Sequence, residues 1–309
     1  MEDTRIDRER DALDYKLIQG NLETLFEATA NLLEREWPAH YESVDSSRVA
    51  FFQSIIIAIN TYNTIFFIIA EEEHYARRKV YALSIPPLVR SLFEQLIALI
   101  FLIQDIPRYI PWLFKTGYTE HVVQLRHVQQ FHGNKADWQD YLDRLKKQIS
   151  IEEKVGKLSE AEIANPRKTI GRWPTPGAML NRLKKDKSAS QDTLDYIEYI
   201  NAWIYRELSR QTHFSLSNIS MRGIHFSIDD AKAVFGDDWE AKRKEILEDY
   251  RQKHVGFAIV IMLSIVSEIE GHFHFGRNQR ARELWTVLSK YSDIALDFWD
   301  TRYSSLLPA

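Results

Sequence analysis

Cysteine is missing altogether from this 309-residue chain. That excludes disulfides, thiolate metal sites and cysteine nucleophiles together, and it fits a cytosolic protein. Glycine and proline are scarce, at 11 and 9 residues. So few helix breakers in so long a chain point to long helices and few turns. No stretch alternates apolar and polar residues over a useful length, so strands are not expected. A phosphate-binding G-x-x-x-x-G-K, Rossmann glycines and a G-x-S-x-G nucleophile elbow are all lacking, which disfavours those enzyme classes. Positive charge is not in excess either. The formal net charge is -4, so RNA contact requires a local basic patch.

What is present suits a globular protein: 45% hydrophobic and 27% charged residues, without the bias of a disordered chain. The reading is all-α: one helical domain over 1–309, a bundle of long helices packed through large aromatic side chains. An N-terminal helix falls within 1–40, a core spans about 45–275, and a C-terminal helix covers 277–303. The first of these carries Leu13, Leu17, Leu22, Leu25 and Leu32 or Leu33 on a drifting apolar face. The N-terminus, MEDTRIDRERDALDYK, is charged throughout and does not read as a signal peptide. Pro86 and Pro87 open a helix, where a missing donor costs nothing. Pro107 breaks the chain, and Pro111 lies in the first turns of the next helix. One helix is expected from about Gln191 to His213 and another from Asp237 to about Phe273. Three prolines and two glycines make 159–177 read as a long loop.

Between Val49 and Ala70 runs VAFFQSIIIAINTYNTIFFIIA, uncharged and long enough to span a bilayer. Gln53, Asn60 and Thr64 fall near one stripe of it. A buried bundle helix with one polar seam accounts for this better than a membrane span, so no membrane is expected. The apolar runs from Ile97 and Val255 are too short to span alone.

Two helices hold the candidate chemistry. In PPLVRSLFEQLIALI, Arg90 and Glu94 stand at i and i+4 among apolar neighbours and can pair. In YRELSRQTHF, Tyr205, Ser209 and His213 share a face, and Arg206, Arg210 and His213 share the adjacent one. Two roles remain open. The polar groups either satisfy one another across the core or grip an RNA phosphodiester. In the second role Arg206 or Arg210 holds phosphate and His213 shuttles a proton to the ribose hydroxyl. Arg90, Glu94, Tyr205 and Ser209 then support them. No metal or other cofactor is required. Glu71 and His74 show one E-x-x-H, and Glu268 and His272 stand at i and i+4. A di-iron bundle needs more carboxylates and a second such motif. From Lys135 to Lys187 there are 13 Lys and Arg against 8 Asp and Glu. This basic region includes PRKTIGRWPTPG and RLKKDK, and its arginine, lysine and tryptophan suit RNA backbone contact with stacking.

LVRSLFEQLIALIFL followed downstream by YRELSRQTHFS resembles a bacterial family of unknown function, number five-six-seven-seven. Its members pair an R-x-x-x-E helix with a later S-x-x-x-H helix, here Arg90, Glu94, Ser209 and His213. More loosely, Arg206-x6-His213 looks like the R-x4–6-H signature of HEPN domains. That resemblance implies a helical core, often dimeric, acting as a metal-independent ribonuclease in toxin or phage-defence systems. The chain departs from it at Glu207, whose carboxylate repels phosphate. The expected partners are therefore RNA, an antitoxin or defence protein, and a second copy in a cytoplasmic homodimer. The alternative is a non-catalytic helical interaction protein with a structural polar cluster.

Overall fold

The computed structural model describes residues 15–35, 47–74, 84–212, 236, 238–290 and 292–307. Among them every regular element is helical and no strand occurs, as an all-α bundle requires. The chain divides into two compact units, one of residues 1–36, 52–100 and 189–309, the other of 37–51 and 101–188.

The first unit is built around α11, Trp239–Phe273. From Phe257 to Glu270 every one of its residues is buried: apolar side chains fill most of its circumference, with Ser264, Ser267, Glu268 and Glu270 buried among them. α1 (Tyr15–Arg35) and α12 (Asn278–Leu288) pack against it and against each other. Leu22, Leu25, Phe26, Ala30 and Leu33 form the buried stripe of α1; the side chains of Leu13 and Leu17 lie outside the described residues. Leu306 crosses α11 at Gly271, where a Cβ would lie 2.5 Å from its Cγ. Only glycine admits so close an approach.

The expected C-terminal helix over 277–303 is instead divided. α12 stops at Leu288, Ser292 caps α13 (Asp293–Phe298), a π segment follows over Trp299–Tyr303, and α14 covers Ser304–Leu306. Ser292 Oγ accepts from the Ala295 amide, which restarts the helix. The expected helix from Gln191 is also interrupted. α9 (Gln191–Ile200) passes through a π segment, Asn201–Tyr205, into α10, Arg206–Thr212. Of its buried residues, Thr193, Ile197, Ile200, Ile204 and Leu208 form one stripe spaced wider than 3.6 per turn, and the π segment absorbs the difference.

α2 (Ser47–His74) reverses another expectation. Its polar seam is outside. Ile55, Ala58, Tyr62 and Ile65 are buried, whereas Gln53, Ile57, Asn60, Thr64 and Phe67 are exposed. The inner stripe is the more uniformly apolar one, and burial selects it. α3 (Ile85–Gln104) begins at the expected prolines. Among the described residues, three helices are long and apolar enough to cross a membrane: Val49–Ile69, Ile85–Gln104 and Tyr250–Phe273. The runs from Ile97 and Val255, short by themselves, thus sit in helices of spanning length.

In the second unit α4 (Ile106–His132) and α5 (Gln139–Val155) pack side by side. Residues 159–177 are not a long loop. α6 (Glu160–Ala164) is set by a reciprocal cap between Ser159 and Glu162. Pro166 opens α7, Pro166–Thr169, and Pro176 opens α8, Pro176–Asp186. Two of the prolines that suggested a loop instead start helices.

Candidate functional site

Tyr205 meets the pair on α3. Arg90 Nε donates to Glu94 Oε1 at 3.0 Å, Arg90 Nη2 donates to the Tyr205 hydroxyl at 3.0 Å, and that hydroxyl donates to Glu94 Oε1 at 3.1 Å. Three bonds close a triangle. The guanidinium also lies over the Tyr205 ring, 5.1 Å from its centroid, and Phe93 stacks on that ring at 6.0 Å. Such contacts add dispersion and cation–π attraction. Burial by itself would lower the Arg90 pKa, but Tyr205 and Glu94 hold it above its ordinary value. The pair is half-open to solvent, with Arg90 and Glu94 side chains 21% and 43% exposed.

The π segment carries Tyr205 to this meeting point, and α10 continues from it. Arg206 and Arg210 are exposed on α10, and Ser209 is half-buried. Lys253 Nζ lies 3.4 Å from Glu207 Oε1. His213 lies outside the described residues, so the structure brings together Arg90, Glu94 and Tyr205 and leaves the imidazole unplaced. On the candidate metal motifs, the side chains of Glu71 and His74 are also outside the described residues. Glu268 does not look toward His272. Arg302 takes its carboxylate, Nη2 donating to Oε2 at 2.7 Å and Nε to Oε1. Among the described residues no three His, Asp or Glu side chains gather to hold a metal.

Sequence reasoning passed over that second cluster. Arg302 Nη1 reaches Thr193 Oγ1 at 3.2 Å, and its guanidinium lies 5.3 Å from the Tyr196 ring centroid. Tyr196 and Tyr303 share a hydrogen bond of 3.1 Å. Burial would lower the Arg302 pKa, yet the Glu268 charge and hydrogen bonds hold it above its ordinary value. Burial likewise keeps both tyrosines protonated well above their usual range. His254 was also passed over. It is fully buried, its Nδ1 is 2.6 Å from the Tyr250 carbonyl oxygen, and burial pushes its pKa down to about 4. Of these residues only Glu268 has a spacing signal, toward His272 and not toward its actual partner; the others have partners remote in sequence or in the backbone.

The chain matches no family model, no curated protein and no solved structure.

Proposed function

We propose that the protein is a non-catalytic helical interaction protein in which Arg90, Glu94 and Tyr205 form a structural hydrogen-bond network. The closed triangle carries this reading. Two of the three Arg90 nitrogens are committed to partners within the protein, and Tyr205 both accepts and donates. A guanidinium already spent on a carboxylate and a phenol offers less to phosphate than an open fork does. The outward stripe of α2, uncharged and bearing Ile57 and Phe67, supports a role facing another protein, the homodimer included. The reading places the protein in the cytoplasm, with the apolar window of α11 89% buried within the protein and that of Val49–Ile69, 22% buried, turned toward a partner.

A metal-independent endoribonuclease of HEPN-like type, acting in toxin or phage defence with an antitoxin or defence partner, is the second reading. Arg206 and Arg210 favour it, because both are exposed one turn apart on α10. Lys253 also offsets the Glu207 carboxylate that would repel RNA. In that reading His213 is the general acid and base. One experiment divides the two. Wild type and His213→Ala are incubated with total RNA in EDTA, and both are melted. The structural reading expects the same RNA pattern from both proteins. RNA cleavage by wild type, abolished in His213→Ala at unchanged melting temperature, establishes the nuclease instead.

A further inference from the structure

A cleft of about 380 Å³ opens in the second unit, lined by residues of α4 and α8 together with Glu162, Thr169 and Ile170. Arg108, Pro111, Trp112 and Lys115 stand at i, i+3, i+4 and i+7 on α4, so one face of that helix forms a wall. Arg182 and Asp186 stand at i and i+4 on α8. One oxygen organises the site. Asp186 Oδ2 accepts from Arg182 Nε at 2.9 Å and from the Tyr109 hydroxyl at 3.1 Å, and Arg108 Nη2 forms an ion pair with it at 3.1 Å. Tyr109 is fully buried and braced by Ser188 Oγ at 3.1 Å, so the carboxylate is fixed from beneath. Burial would raise its pKa, but the Arg182 and Tyr109 hydrogen bonds and the two positive charges hold it below the usual carboxylate range.

The charges do not cancel. Three cations line the space, Arg108, Arg182 and Lys115, against one lining carboxylate, Glu162, which pairs with Lys115 at 2.6 Å; Asp186 lies behind the two arginines, outside the lining. Each arginine gives Asp186 a single nitrogen. Their remaining N–H groups make no hydrogen bond among the described residues. Two guanidiniums drawn together by one carboxylate, on different helices, present donors from separate directions. That arrangement suits the several oxygens of a tetrahedral anion better than a flat carboxylate. Pro111, Trp112 and Ile170 supply an apolar lining beside it, and Arg182 is held 5.1 Å from the Trp112 ring centroid. The volume falls within the range of small-molecule sites.

We propose that this cleft binds the phosphate group of a small molecule, with Arg108 and Arg182 as its donors and Asp186 as the internal anion that competes with the phosphate for them. The site is independent of the Arg90 network and of either functional reading. Isothermal titration calorimetry on the full chain tests it, using inorganic phosphate and adenosine monophosphate at constant ionic strength. Both probes are expected to give saturable heat. Arg182→Gln and Arg108→Gln should each weaken binding about tenfold, the loss of one charge-assisted contact. Asp186→Asn should tighten it several-fold, because both guanidiniums are released. Glu283→Gln makes the same charge change at an exposed pair with Arg280 and should leave affinity unchanged. Circular dichroism establishes that each variant is folded. Should Asp186→Asn unfold, Glu162→Gln, which frees Lys115, carries the same expectation. Tighter binding of the nucleotide assigns an organic phosphate, and equal binding assigns the free ion. Absence of saturable heat from both probes overturns the proposal, as does equal tightening by Glu283→Gln and Asp186→Asn.

Discussion

Two arginine–glutamate pairs, Arg90 with Glu94 and Arg302 with Glu268, show how surroundings decide the weight of the same chemistry. Each stands beside a π segment, and each is completed by a hydroxyl, from Tyr205 in one case and Thr193 in the other. Arg90 offers one nitrogen to Glu94, whereas Arg302 grips both oxygens of Glu268. The first pair is 21% and 43% exposed, the second 9% and 2%. Water can replace a lost partner at the first. At the second nothing can, so breaking one half leaves a charge in the core.

That contrast sets the order of expected effects. Glu268→Ala should be the most damaging, costing about 3–5 kcal/mol through the stranded Arg302. Chemical denaturation measures it, and replacing both partners with apolar side chains should recover much of the loss. Acid attacks the buried side next. His254 titrates near 4 when folded and near its ordinary value when unfolded. Its folded pKa is depressed, so its contribution is fully present above about pH 6.5 and is lost as the pH falls toward 4. By pH 5 the loss is on the order of 2 kcal/mol. His254→Phe should flatten that part of the stability profile. Tyr205→Phe removes two hydrogen bonds at the half-open pair and should cost about 1 kcal/mol, read from the denaturation midpoint. Glu207→Gln, which weakens the solvent-exposed contact with Lys253, should change stability by less than about 0.5 kcal/mol.

The same contrast explains what the sequence could reveal. Arg90 and Glu94 are four residues apart, and helical periodicity alone places them together. Glu268 and Arg302 are separated by 34 residues, and only the folded chain joins them. Tyr205 was found because its helix carried too many polar groups for a core face. Asp186 was within reach, since Arg182 and Asp186 share the i, i+4 spacing used for Arg90, but it sat in a segment read for its positive charge. The all-α class followed from scarce glycine and proline. The breaks did not. Prolines in 159–177 mark helix starts, which composition cannot distinguish from loop residues, and the π segment before α10 shows only as a slight widening of the spacing of its buried stripe. α2 was misjudged for a related reason: periodicity identifies two faces but not which one meets the core, and both faces of α2 are rich in isoleucine and phenylalanine.

Coupling between Glu94 and Tyr205 tests the account most directly. A double-mutant cycle of Glu94→Gln and Tyr205→Phe, followed by urea unfolding, separates their interaction from the individual losses. A structural network predicts that the double variant loses less than the two single losses combined, by about 0.5–1 kcal/mol. Strict additivity, with both single variants as stable as wild type, would contradict it.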